Sequence, residues 1–188
     1  MPDEIPWKDE INEPATYIRY KGIWDMQDMY ETIANFFRLK KYDFYERVYK
    51  HKHPSPFGVE RQYVWEAEKQ ENEFIHFIYD VYIHTYDAHD VEVVMPDNHK
   101  KIYTKGRIWI ELKAKVITDK YKRWQKKSFY SSLKSFYGKY LLKENFAQGW
   151  VPKIRYEMYE LHSMLKARLK MEADEYEHAN GAGVNRRF

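Results

Sequence analysis

The longest regular feature of the chain is an alternation over Glu73–Thr85. Ile75, Phe77, Tyr79, Val81 and Ile83 make one unbroken apolar side, and Phe74, His76, Ile78, Asp80, Tyr82 and His84 make a half-polar one. A period of two is the signature of a strand with one buried face. The same period returns over Arg107–Asp119, with Ile108, Ile110, Leu112, Ala114 and Val116 inward and Arg107, Trp109, Glu111, Lys113 and Lys115 outward. Two weaker segments precede these. Tyr42, Phe44, Glu46 and Val48 alternate with Asp43, Tyr45 and Arg47, and after the turn sequence HPSPFG, Tyr63, Trp65 and Ala67 form the apolar side of Glu60–Gln70. Tyr17–Ile23 predicts a further short strand, and Pro96, Asp97 and Asn98 predict a turn.

Elsewhere the period lengthens to that of a helix. Met26, Met29, Tyr30, Ile33, Phe36 and Phe37 follow Asp25, a good N-cap, and precede Arg38, Lys40 and Lys41, which suit a helix C-terminus. Phe129, Tyr130, Leu133, Phe136, Tyr137, Tyr140 and Leu141 predict a second helix, in which Gly138 permits close packing. Ile154, Met158, Leu161, Leu165 and Leu169 predict a third and longest one. The order strand, helix, four strands, helix, helix implies an α+β fold. We expect a meandering antiparallel sheet of about four to five strands, covered on one face by helices, with a long C-terminal helix and extended terminal arms. Residues 1–15, with three prolines and five acids against one lysine, predict an acidic extended arm; residues 16–178 a single domain; and residues 179–188 (ANGAGVNRRF) a flexible basic tail.

Composition narrows the classes of function. Of 188 residues 18% are aromatic, with 18 Tyr, 10 Phe and 6 Trp, against only 7 Gly, and so many rings supply a core and argue against global disorder. The absence of Cys excludes disulfides, thiol catalysis and cysteine-ligated metals. No apolar run reaches the roughly 20 residues of a transmembrane helix, and the acidic start MPDEIPWKDE is unlike a signal peptide. A cytoplasmic or virion location is the expectation.

The net charge of +3 conceals a division. Residues 98–127 carry eleven Lys or Arg against Glu111 and Asp119, a local +9, while the first 13 residues carry −4. Lys113, Lys115, Lys120, Lys122, Arg123, Lys126 and Lys127, with Trp124 among them, form a candidate strip for nucleic acid or an acidic partner. The plainer alternative is a solvated strand face guarded against edge pairing. Ile5, Trp7 and Ile11 on the arm, and Arg186, Arg187 and Phe188 at the end, are candidate anchors on a neighbouring surface of the same chain or of a partner.

Other chemistry is sparse. His51 and His53 lie two apart but beside Lys50, Lys52 and Pro54; His76 and His84 share a strand face at roughly 26 Å, too far for one metal. His84, Asp87, His89 and Asp90 in HTYDAHD form the densest donor cluster, more simply read as a polar strand end than as a zinc or manganese site. Glu66, Glu68 and Asp80 would acquire raised pKa values if they faced a cavity. No nucleotide-binding, hydrolase or zinc-protease motif is present, so no catalytic residue, metal or cofactor is assigned.

KKYDFYERVYK, VWEAEKQ, KGRIWIELKAKV and DKYKRWQKKSF together resemble, in order and spacing, an uncharacterised group of small proteins from archaeal and large-phage genomes, over roughly residues 20–170. The resemblance implies an accessory or virion protein and supplies no catalytic residues. The first functional expectation is therefore a non-enzymatic structural or adaptor subunit of a larger assembly, with other protein subunits as partners. The alternatives are a nucleic-acid-binding module using the 98–127 strip, and a helix-grip carrier with a ligand cavity behind the third helix.

Overall fold

A computed structural model describes residues 10–55, 58–72, 75–94, 100–118, 120–121 and 149–171. The elements are β1 (Glu10–Asn12), β2 (Thr16–Trp24), α1 (Met26–Leu39), β3 (Asp43–Ser55), β4 (Gly58–Gln70), β5 (Ile75–Val94), β6 (Lys100–Thr118) and α2 (Val151–Arg168). The six strands form one antiparallel sheet in the order β1-β6-β5-β4-β3, with β2 also paired to β6. Since β1 meets residues 115–117 and β2 residues 104–112 of β6, they are successive segments of one edge.

The alternation in β5 and β6 decides the layers. Ile75, Phe77, Tyr79, Val81 and Ile83 are buried beside Ile108, Ile110, Leu112, Ala114 and Val116, joined by Ile18, Trp65 and Ala67. On this face lie α1, through Met29, Ile33, Phe36 and Phe37, and α2, through Ile154, Met158, Leu161 and Leu165. Rings fill the layer between: Phe37 lies 5.4 Å from Tyr79 and 5.9 Å from Phe44, and Tyr30 meets Trp65 edge-on at 5.2 Å. Such contacts add to the burial of apolar area that drives this packing.

The helix ends follow their sequence signals. Asp25 caps α1 by accepting the Asp28 N–H at 3.1 Å, and Lys41 closes it in a left-handed conformation (φ 62°). In α2 the polar side chains tie the helix down one by one. Lys153 reaches Glu71 at 2.5 Å, Arg155 donates to Glu13 at 2.6 and 3.2 Å, and Lys40 pairs with Glu160 at 2.8 Å. Glu157 accepts hydrogen bonds from Tyr42 (2.7 Å) and Tyr79 (3.3 Å), while Tyr79 also reaches the Ile154 carbonyl at 2.7 Å. Burial, then the neighbouring Tyr42 and Glu157, pushes the Tyr79 hydroxyl far above its ordinary range, so it stays a donor.

Three expectations change. Strands β5 and β6 run well past Thr85 and start well before Arg107, because a bulge at Tyr86–His89 absorbs the break in alternation and lets pairing continue to Val94–Lys100. The sheet has six strands rather than four or five. Residues 10–13 belong to the domain and not to a free arm: β1 pairs with β6, Ile11 packs against the chain's own core, and the Glu13 side chain is only 3% exposed. The helix expected over 129–141, the arm residues Ile5 and Trp7, and the tail Arg186, Arg187 and Phe188 lie outside the described residues.

Two outcomes test this account. Glu13→Ala removes a buried carboxylate and its two contacts to Arg155, and should lower the midpoint of urea unfolding. A double-mutant cycle with Arg155→Ala should show clear coupling, whereas a wild-type midpoint for Glu13→Ala would release residues 10–13 from the fold. Second, burial would raise the Glu71 carboxyl, but hydrogen bonds from Lys153 and Lys69 bring it below its ordinary 4.5. Its contribution is thus present above about pH 4.5 and lost as pH falls through the lower folded value. Glu71→Gln should give a shallower loss of stability in acid than wild type.

Candidate functional site

Neither described helix lies on the second face of the sheet. Its positions are the other half of each alternation. Along β5 they are His76, Ile78, Asp80, Tyr82, His84 and Tyr86; opposite them stand Glu68, Glu66, Val64 and Gln62 on β4, and Lys115, Lys113, Glu111, Trp109 and Arg107 on β6. Strand β2 adds Tyr17, Arg19 and Lys21 opposite Glu111, Trp109 and Arg107.

Charge divides this face into two regions. At the end near His76 the cations are satisfied. Lys115 pairs with Asp80 at 3.4 Å, Lys113 with Glu111 at 3.0 Å, Arg47 with Glu66 at 2.5 Å, and Lys120 with Glu68. His76, buried, lies 3.2 Å from Glu68 through Nδ1. Burial would raise the Glu68 carboxyl, but Lys120 and then His76 bring it below its ordinary range, opposite to the rise a cavity carboxylate would show. The described members of the basic strip, Lys113, Lys115 and Lys120, are therefore neutralised within the chain. Lys122, Arg123, Trp124, Lys126 and Lys127 lie outside the described residues.

At the other end the balance reverses. Arg19 and Lys21 are exposed and have no ion-pair partner among the described residues. With Tyr86, Arg107 and Trp109 they line a cleft of about 480 Å³, floored by the strand positions Tyr20 and Ile108. Rings run across it. Tyr17 stacks on Trp109 at 6.2 Å with planes 17° apart, Trp109 meets Tyr82 edge-on at 5.7 Å, and His84 lies 3.9 Å from Tyr86. His84 is itself fixed: Nε2 is 2.5 Å from Glu60 Oε1 and Nδ1 is 3.3 Å from the Tyr82 hydroxyl.

The bulge shapes the cleft wall. Asp87 adopts φ 52°, and its Oδ2 accepts from Arg107 Nε at 2.9 Å and Nη2 at 2.5 Å. The Arg107 guanidinium lies 5.6 Å from the centre of the Tyr86 ring. The bulge fits because its neighbours on both sides are glycines. A Cβ on Gly106 would stand 2.8 Å from the Tyr86 carbonyl oxygen, and one on Gly58 (φ 120°) 2.6 Å from the Asp87 carbonyl carbon.

The dense donor cluster of HTYDAHD does not converge. Asp87 engages Arg107, Asp90 engages Arg61 at 2.8 Å, and His84 engages Glu60. Among the described residues no group of three or more His, Cys, Asp or Glu is placed to hold a metal ion. Nor is any described helix long and apolar enough to cross a membrane. Arg19, Lys21 and Tyr86 were not singled out by sequence reasoning. Their signal was Tyr17, Arg19 and Lys21 alternating outward on β2, which acquires meaning only once β2 is registered against Trp109 and Arg107. Comparison with known protein families and with curated proteins finds no match.

Gly106→Ala should lower stability by about 1–3 kcal/mol, since backbone on the neighbouring strand cannot yield cheaply. Its amide spectrum should change most over residues 84–90. A silent substitution would mean that the bulge does not press on β6.

Proposed function

We propose that the protein binds single-stranded nucleic acid on the sheet face that bears neither described helix, at the cleft between β2, β6 and the β5 bulge. The observation that carries this reading is the placing of two cations without an ion-pair partner among the described residues, Arg19 and Lys21, beside a row of rings, Tyr17, Trp109, Tyr82 and Tyr86, on the sheet face that bears neither described helix. Cations that track phosphates and rings that stack on bases are the two components of sequence-tolerant single-strand recognition. An open sheet can offer both, because strand spacing presents side chains in parallel rows. The reading keeps the ligand class expected for the 98–127 strip and moves its centre to Arg19, Lys21 and Arg107.

A structural or adaptor role is the second reading, favoured by one observation. Strand β3 pairs only with β4 among the described residues and exposes Tyr45, Val48 and Tyr49, an edge that another subunit could extend. Such assembly would appear in light scattering as a species larger than the 23.2 kDa chain. A carrier of helix-grip type has less support, since rings fill the layer between sheet and helices.

Fluorescence anisotropy with a labelled 20-nucleotide single strand tests the first reading. Wild type should bind at ~50 mM salt. Arg19→Ala combined with Lys21→Ala should weaken binding about tenfold or more and flatten the salt slope by about 1.4, roughly 0.7 for each lost phosphate contact. No binding by wild type at low salt would reject the reading, as would an unaltered slope in the double variant.

A further inference from the structure

The three cations of the cleft are not equivalent. Arg19 and Lys21 have no ion-pair partner among the described residues, whereas Arg107 gives both Nε and Nη2 to a single oxygen of Asp87. We propose that Asp87 is the specificity-determining residue of the cleft, holding Arg107 as a flat shelf for a nucleobase instead of a mobile clamp for phosphate. The inference rests on the nucleic-acid reading given above and deepens it, by assigning phosphates to β2 and a base to the bulge side.

Three features support this division. Asp87 offsets the charge of Arg107 and occupies the edge of the guanidinium that would otherwise grip a phosphate in a forked geometry. The group lies over the Tyr86 ring, which rests on His84, and among the described residues its only ion-pair partner is Asp87. Guanidinium planes and aromatic rings both accept stacked bases whatever their sequence. Asp87 is also not placed by chance. Its left-handed backbone is accommodated by Gly106 on one side and Gly58 on the other, neither of which has room for a Cβ. Two strands thus make space for the backbone that carries this carboxylate, and the carboxylate engages only Arg107 among the described residues.

Asp87→Asn isolates the effect, because Asn tolerates the left-handed region as well as Asp does, and its amide matches the carboxylate in shape. Two labelled strands of equal length and phosphate number serve as probes, one carrying bases and one fully abasic. Wild type should prefer the base-bearing strand about tenfold, the scale of one good stacking contact. Asp87→Asn should bind the abasic strand more tightly, steepen its salt dependence and cut the preference at least threefold. Arg107→Lys, which keeps the charge but loses the plane, should also lose the preference while still binding the abasic strand. An Asp87→Asn ratio equal to wild type would overturn the proposal, and so would equal wild-type affinity for the two strands. Wild type that binds neither strand would instead reject the reading on which it rests. Should Asp87→Asn fail to fold, the Arg107→Lys ratio decides alone: a wild-type value overturns the proposal.

Discussion

Everything in this fold depends on the antiparallel ladder between β5 and β6. It runs from Ile75↔Thr118 to Val94↔Lys100 and gives the sheet its two unlike faces. Because side chains alternate, one face collects Ile, Leu, Val and rings, and must be covered; the other collects His, Asp, Lys, Tyr and Trp. The hydrophobic effect then acts most strongly on the first face, although Ile78 is buried on the second. It draws α1 and α2 to the same side, and among the described residues the second face is organised by ion pairs and ring contacts. The candidate site is thus a by-product of where the helices had to go.

Holding α2 in place is a matter of polar chemistry as much as of burial. Its apolar stripe is one residue wide per turn, and the flanking positions reach outward to Glu71, Glu13, Tyr42, Tyr79 and Lys40. These partners come from β1, the β4 end, α1 and β5, so the helix works as a tie between segments distant in sequence. Where the partner is buried, as the Glu13 carboxylate is, loss of its cation on α2 leaves a buried charge unpaired, which costs more than the pair contributes when intact. Segments as small as Glu10–Glu13 consequently belong to the cooperative unit.

Much of this architecture was legible in the chain. The inward sets of β5 and β6 were readable residue by residue, because a one-face-buried strand writes its period directly into the sequence. The Asp25 cap and the α1 stripe were equally plain. What escaped notice came from non-local geometry. The bulge at Tyr86–His89 interrupts the period, and its repair depends on glycines in two other strands. Lys115 looked like an available cation because its partner Asp80, on the adjacent strand, is 35 positions earlier, whereas Lys113 pairs within its own strand with Glu111. Arg19 and Lys21 looked ordinary because their neighbours Trp109 and Arg107 lie on a strand about ninety residues further along. Charge density along the chain is a poor guide to charge on a sheet, where neighbours across strands set the balance.

The two glycines beside the bulge have a consequence for how the strands find one another. A β-ladder can slide; the buried alternation already resists a shift of one residue, and the bulge adds a steric penalty of its own. Here a slide of β6 by one position along β5 would bring Lys105 or Arg107 against the carbonyls of the bulge, and a slide of β4 would bring Val59 there. Either would drive a side chain into backbone. Gly58 and Gly106 therefore act as notches that receive a single tooth, and three strands can mesh in one alignment only.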